Sequence, residues 1–199
     1  DMPIDNVSDC DDSRVVEGAL RLMPRVVDIK AAGTAMRFMT SLLAVLGGDH
    51  IITGTDRMQR RPIAVLVDAL RSLGADITYM DMEGFPPLRI RGGRLTGGRL
   101  ALPGNVSSQY ISSLLMIAPT LKDGLVLELT GEVISRPYID MTLAIMQQFG
   151  ARAKWSDERT VCVEPVRYSP IPYYIESDWS AASYWYEMVA LAADPGAEV

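Results

Sequence analysis

Four stretches of the 199-residue sequence place anion-seeking groups where helices are expected to begin. At Ala32-Gly33-Thr34, glycine lets backbone approach a ligand, Thr34 can cap, and unpaired N–H groups carry the positive end of the helix dipole. At Val106-Ser107-Ser108-Gln109, two hydroxyls and an amide join a similar start and offer several donors to one phosphate. At Arg57-Met58-Gln59-Arg60-Arg61-Pro62, proline suits the first helical position, but cations there oppose the dipole unless an anion sits among them. Three arginines in that turn therefore point to a carboxylate or phosphate ligand. Ser135-Arg136-Pro137-Tyr138 has the same form, with Ser135 and Tyr138 as donors. Singly, each stretch also reads as an ordinary cap or a solvated basic turn, and Arg136 as a structural ion-pairing residue. Together they describe a cleft lined by Gly33, Arg61, Ser107, Ser108, Gln109, Ser135 and Tyr138, suited to small molecules bearing phosphate and carboxylate. No carboxylate or lysine stands in an obvious proton-transfer setting, so these residues speak for binding more than for chemistry.

The elements that must position them occur twice. The first copy runs through an apolar helix, Ala35 to Leu46, a strand, His50 to Thr53, and Thr53-Gly54. Arg61-Pro62 then opens a helix to Leu73, capped at Gly74-Ala75, before strands Asp76 to Met80 and Leu88 to Arg91. The second has a strand Arg99 to Leu102, a helix Ser108 to Ala118, a strand Leu125 to Leu129, and Thr130-Gly131. Arg136-Pro137 opens its next helix, which runs to Phe149 and Gly150-Ala151, before strands Arg152 to Trp155 and Thr160 to Glu164. The Arg-Pro pairs lie 75 residues apart and Gly74 and Gly150 lie 76 apart. The second copy thus reads βαβαββ, an α/β (α+β) repeat. Helices that are apolar nearly all round, Met36–Leu46 and Tyr110–Ala118, belong inside. The Arg-Pro helices, with Ile63, Leu66, Val67 and Leu70 on one stripe and Asp68 and Arg71 off it, belong on the flank. Ser8-Asp9 can cap a further helix over Asp12 to Met23, and Asp178 opens another.

Composition narrows the classes. Apolar residues at 48% and charged residues at 22% are those of a packed globular protein. A net charge of −6 with no basic tract speaks against nucleic acid and anionic membranes. Cys10 and Cys162, far apart, read as buried thiols. With His50 the lone histidine, neither a zinc site nor a His-based triad can be assembled. The reading is a reduced, cytoplasmic protein without metal or cofactor. Sixteen arginines against three lysines are consistent with planar forks aimed at carboxylates or phosphates, or with codon bias alone.

The strings AGTAMR (Ala32 to Arg37), RMQRRP (Arg57 to Pro62), VSSQYISSLLMIAP (Val106 to Pro119), SRPYIDMTL (Ser135 to Leu143) and ESDWSAASYW (Glu176 to Trp185) resemble the 5-enolpyruvylshikimate-3-phosphate synthase family, also called 3-phosphoshikimate 1-carboxyvinyltransferase. The resemblance implies two similar domains, each an inside-out α/β barrel of three βαβαββ units with helices inside and sheets outside. It implies transfer of the enolpyruvyl group of phosphoenolpyruvate to the 5-hydroxyl of shikimate 3-phosphate, with release of phosphate, on the route to chorismate and the aromatic amino acids. By position, Gly33, Arg61 and Gln109 would contact phosphoenolpyruvate. Ser107, Ser108, Gln109, Ser135 and Tyr138 would hold shikimate 3-phosphate, and Thr34, Arg37 and Asp178 would support the site. The parent protein is expected to be monomeric.

On the same resemblance, residues 1–174 are expected to form the first domain, clipped at its start, and 175–199 the beginning of the second. The family's acid-base residues would fall outside, so no catalytic residue is assigned to this chain. Lys30-Ala31 stands where the family usually has Gly-Asn, and Phe38 where it has a small residue or proline. Two alternatives are a transferase acting on UDP-N-acetylglucosamine, whose usual cysteine is missing from Asp56 to Arg61, and a non-catalytic anion-binding scaffold.

Overall fold

The computed structural model describes residues 24–93, 95–175, 179–192, 194 and 196–198. The expected helix over 12–23, Cys10 and Asp178 lie outside them. The chain divides into two compact units after Ser169.

In the first unit, β1 (Arg25–Asp28), α1 (Gly33–Val45), β2 (Gly48–Thr53), a single turn α2 (Asp56–Gln59), α3 (Ala64–Ser72), β3 (Asp76–Tyr79) and β4 (Leu88–Gly92) form one repeat. The other comprises β5 (Gly98–Pro103), α4 (Ser108–Ile117), β6 (Leu125–Thr130), α5 (Arg136–Gln148), β7 (Ala153–Trp155) and β8 (Thr160–Val163). The sheets share one plan, β1-β2-β4-β3 and β5-β6-β8-β7, with the first pair parallel and the other two antiparallel. β1 supplies the strand that the sequence reading left out of the first copy. Arg25-Val26-Val27-Asp28 is too short to show a period and mostly exposed. It becomes a strand by registering Arg25 to Asp28 against His50 to Thr53.

Alternation fixes which sheet face is covered. His50 and Ile52, Leu88 and Ile90, Leu125, Leu127 and Leu129, and Val161 and Val163 all point into the core. α1 packs against the first sheet and α4 packs between α1 and α5, the small and apolar residues of both allowing close approach. Their buried hydroxyls are satisfied across the helix contacts, as burial requires: Ser41 Oγ donates to Ser113 Oγ at 3.0 Å between α1 and α4, and Ser112 Oγ and Thr142 Oγ1 bond at 2.7 Å between α4 and α5. α3 buries Leu66, Val67 and Leu70 and leaves Asp68 in solvent, the flank role read from its stripe. Cys162, on β8, is only half-buried, because its side of the strand faces away from the helices.

The second unit contains α6 (Trp179–Leu191), beginning where the sequence placed a further helix. Among the described residues no helix is long and apolar enough to cross a membrane, and no three metal-ligating side chains cluster.

Candidate anion-binding site

The helices of interest all follow parallel strands: α1 follows β1, α2 and α3 follow β2, α4 follows β5, and α5 follows β6. In each sheet the two parallel strands therefore deliver their helix starts to one edge, where α/β ligands bind. The loops at those edges are tied in equivalent ways. Ile29 N donates to Thr53 O at 3.0 Å and Thr55 N to Lys30 O at 3.1 Å; in the second repeat Gly104 N donates to Thr130 O at 2.7 Å and Ile134 N to Gly104 O at 3.4 Å. Lys30 adopts a left-handed φ of 54°, a conformation that favours glycine. Asp28 offsets the strain by accepting from both Lys30 N (2.9 Å) and Nζ (2.8 Å), and these bonds hold its carboxyl below the usual carboxylate range.

Three side-chain contacts at these edges join the first repeat to the second. Gln109 Nε2 donates to Thr34 Oγ1 at 3.0 Å, bridging the starts of α1 and α4. The Tyr110 hydroxyl donates to Pro62 O at 2.8 Å. The buried Arg37 lies over the Tyr110 ring, 5.5 Å from its centroid, and donates to Gly33 O at 2.8 Å. Arg61 closes the group from the loop side. Its guanidinium presses on Gly33 so closely that a methyl group there would collide with it and would stand 2.9 Å from Arg37 Nη1. Beside this point a recess of ≈ 380 Å³ is lined by Ala31, Thr55, Arg57, Met58 and Arg61. Arg57 and Arg61 are exposed, and neither has an ion-pair partner among the described residues. Two exposed guanidinium groups without ion-pair partners among the described residues, that of Arg61 against the start of α1, have the chemistry to receive a compact anion.

Other predicted residues take different places. Thr34 does not cap: Ala32 holds the N-cap of α1 without a side-chain bond, and the Thr34 hydroxyl is taken by Gln109 instead. Ser107 caps α4, accepting from Gln109 N at 3.4 Å, and Ser108 opens the helix. Arg61-Pro62 does not open α3. Tyr110 holds the Pro62 carbonyl and Ile63 N is spent on Gly84 O at 2.9 Å, so the helix begins at Ala64 and the arginines ride on the preceding turn. Arg136-Pro137 does open its helix, α5. Ser135 occupies that helix's N-cap without a side-chain bond, and Tyr138 is 61% exposed. Their side chains make no hydrogen bond to the other predicted residues among those described. The Gly104–Ile134 backbone contact brings their loop beside the start of α4.

Two participants were not singled out from sequence. Arg57 belonged to a recognised basic turn but carried no individual signal. Tyr110 sits in a helix read as interior, and only its hydroxyl, one residue past Gln109, hinted at a polar task.

With this geometry in place, the comparisons are specific. The family model for EPSP synthase (3-phosphoshikimate 1-carboxyvinyltransferase) matches residues 3–199. A Bacteroides fragilis protein named 3-phosphoshikimate 1-carboxyvinyltransferase is 57% identical over 196 residues, 98% of this chain and 48% of the relative. A Shewanella pealeana protein of the same name is 45% identical over 170 residues, 84% of this chain and 39% of the relative. The solved EPSP synthase of Acinetobacter baumannii superposes with a TM-score of 0.60 at 25% identity, covering 70% of this chain and 30% of that one. The chain spans about half the length of the first two curated relatives it matches. By the match over nearly its whole length, the chain belongs to the EPSP synthase family.

Proposed function

We propose that the full-length protein transfers the enolpyruvyl group of phosphoenolpyruvate to the 5-hydroxyl of shikimate 3-phosphate, releasing phosphate, and that this chain supplies one wall of the site. The observation that carries the proposal is the junction at Gly33. There Arg61, exposed and unpaired among the described residues, meets the α1 N-terminus, which Gln109 ties to the serine-bearing start of α4. Such a junction can seat two anions side by side, as a reaction between two phosphorylated substrates demands.

In this reading Gly33, Arg61 and Gln109 hold phosphoenolpyruvate, and Arg57 adds positive charge beside it. Ser107, Ser108, Gln109, Ser135 and Tyr138 hold shikimate 3-phosphate, the serines chiefly through its phosphate. Thr34 fixes the Gln109 amide and Arg37 backs the Gly33 carbonyl, while Asp178 keeps a supporting role by family position. The contribution of these residues is orientation and electrostatic stabilisation as charge moves onto the departing phosphate. Residues 1–174 are assigned to one domain and 175–199 to the opening of a second, in support of which α6 is apolar nearly all round, like α1 and α4. Family likeness also supports a cytoplasmic, monomeric protein.

Titration of the full-length protein with shikimate 3-phosphate tests the assignment. Saturable binding that weakens at least tenfold in Ser107→Ala supports it; absent binding, or binding indifferent to both Ser107→Ala and Arg61→Ala, overturns it.

A further inference from the structure

The contacts around α4 point past the residues that face the ligands. Ser107, Ser108 and Gln109 open α4, and the next residue, Tyr110, reaches back to the other repeat. Its ring is held from one side by the buried Arg37 guanidinium. Its hydroxyl ends on the carbonyl of Pro62, the residue directly after Arg61. The turn that carries Arg61 is fixed at its other end: Gln59 Nε2 donates to Thr53 Oγ1 at 3.2 Å and Gly54 O at 3.0 Å, and Arg61 N donates to Met58 O at 3.0 Å. Pro62 cannot contribute an N–H, so its carbonyl is the remaining backbone handle at that residue. Tyr110 therefore sets where the Arg61 backbone leaves the turn. Through its place on α4, it sets this relative to the serines.

We propose that Tyr110 is a positioning residue for phosphoenolpyruvate: its hydroxyl, braced by Arg37, holds the Pro62 carbonyl and so aims the Arg61 guanidinium at the Gly33 helix start. This rests on the substrate reading above and deepens it. It also makes α4 the part that keeps the two substrate subsites in register, because one helix end presents donors to shikimate 3-phosphate while its next residue locates the arginine for the partner substrate. A hydrogen bond between a phenol and a main-chain carbonyl is modest, so its loss reads out as a several-fold effect on one substrate rather than a loss of the enzyme.

Steady-state kinetics of the full-length protein, with KM for each substrate determined separately, decide the matter. Tyr110→Phe keeps the ring, and with it the Arg37 contact, while removing the hydroxyl. The expected result is a rise of about three- to tenfold in KM for phosphoenolpyruvate, with KM for shikimate 3-phosphate within about twofold of wild type and an unchanged thermal midpoint. In an Arg61→Lys background the same substitution should add little, since both changes act on one interaction. If wild type turns over and Tyr110→Phe leaves the phosphoenolpyruvate KM unchanged, raises both KM values equally, or adds its full effect on top of Arg61→Lys, the positioning role is overturned and the substrate reading stands. If full-length wild type shows no turnover with these substrates, the substrate reading fails and the inference with it.

Discussion

The two repeats share strand order, pairing direction and loop ties, yet they treat the same arginine in opposite ways. Arg61 is exposed, without an ion-pair partner among the described residues, and pressed against Gly33. Its counterpart Arg136 is spent on structure: the guanidinium lies 4.2 Å from the Trp155 ring centroid and donates to Glu158 O at 3.0 Å. Helix starts diverge accordingly. The first residue of α1 is Gly33, on which the Arg61 guanidinium presses, while the corresponding residue of α4 is Ser108. A duplicated scaffold can thus hold one copy of a charged residue for a ligand and let the other stabilise the fold. What separates the fates is the neighbour offered: an aromatic ring and a carbonyl for Arg136, a bare helix terminus for Arg61.

Exchanging the two arginines for alanine breaks the comparison most directly. In the full-length protein Arg61→Ala should lower kcat/KM for phosphoenolpyruvate on the order of 10²-fold, the cost of removing a charge-assisted anchor, with the thermal midpoint held. Arg136→Ala should do the reverse, leaving kinetics nearly intact while costing about 1–2 kcal/mol of stability through the lost cation–π contact and hydrogen bond. Denaturant titration and steady-state kinetics on both variants check this. Equal kinetic losses would erase the distinction between the repeats.

That distinction was partly legible in the sequence. Landmarks at one spacing exposed the repeat, and helices apolar all round were correctly read as interior, because packing against a covered sheet face leaves a pattern that survives without coordinates. Local geometry decided what remained. The four residues of β1 carry no period of their own and become a strand only through β2. Pro62 has the chemistry of a helix opener, but the Tyr110 hydroxyl and the Gly84 carbonyl, 22 residues or more away in sequence, hold the turn open and delay α3 to Ala64. Thr34 has the chemistry of a cap, but Gln109, 75 residues on, claims its oxygen. Arginine and serine types suggest an anion site; that Arg136 is engaged elsewhere depends on Trp155, which no local reading connects to it.

A smaller change sharpens the same contrast at the helix starts. Gly33→Ala puts a methyl group into the Arg61 guanidinium and 2.9 Å from Arg37 Nη1. Both obstacles are the far ends of flexible side chains, so the fold should persist while Arg61 swings aside. Misplacing an anchoring group in this way should raise KM for phosphoenolpyruvate on the order of tenfold. Ser108→Ala, at the equivalent position, removes a donor to the other substrate and should act on shikimate 3-phosphate instead. A shared effect on one substrate would show that the two starts do not serve separate anions.

The smallest effect concerns the outer faces of the sheets. On the first sheet Arg89 grips Asp49 with two nitrogens, Nη2 to Oδ2 at 2.6 Å and Nε to Oδ1 at 3.0 Å; the outer face of the second sheet carries Val126 beside Cys162 at the corresponding strands. The Arg89 hydrogen bonds hold the Asp49 carboxyl below its ordinary value. A carboxyl whose folded pKa lies below its unfolded one adds stability above the unfolded value, about 3.9, and loses that contribution as pH falls through the folded pKa. Acidification should therefore weaken the β2–β4 pairing, whereas in the second sheet the carboxyl held low, Asp157, acts on the β7–β8 turn through Arg159 N and Thr160 N. Amide hydrogen exchange followed downward from pH 5 should show protection falling earlier in β2 and β4 than in β5 and β6, by a margin that high salt narrows because the pair is partly exposed. Arg89→Met should narrow the difference: the largest cause of the Asp49 shift is gone, and only the weaker pull of Arg91 and His50 remains.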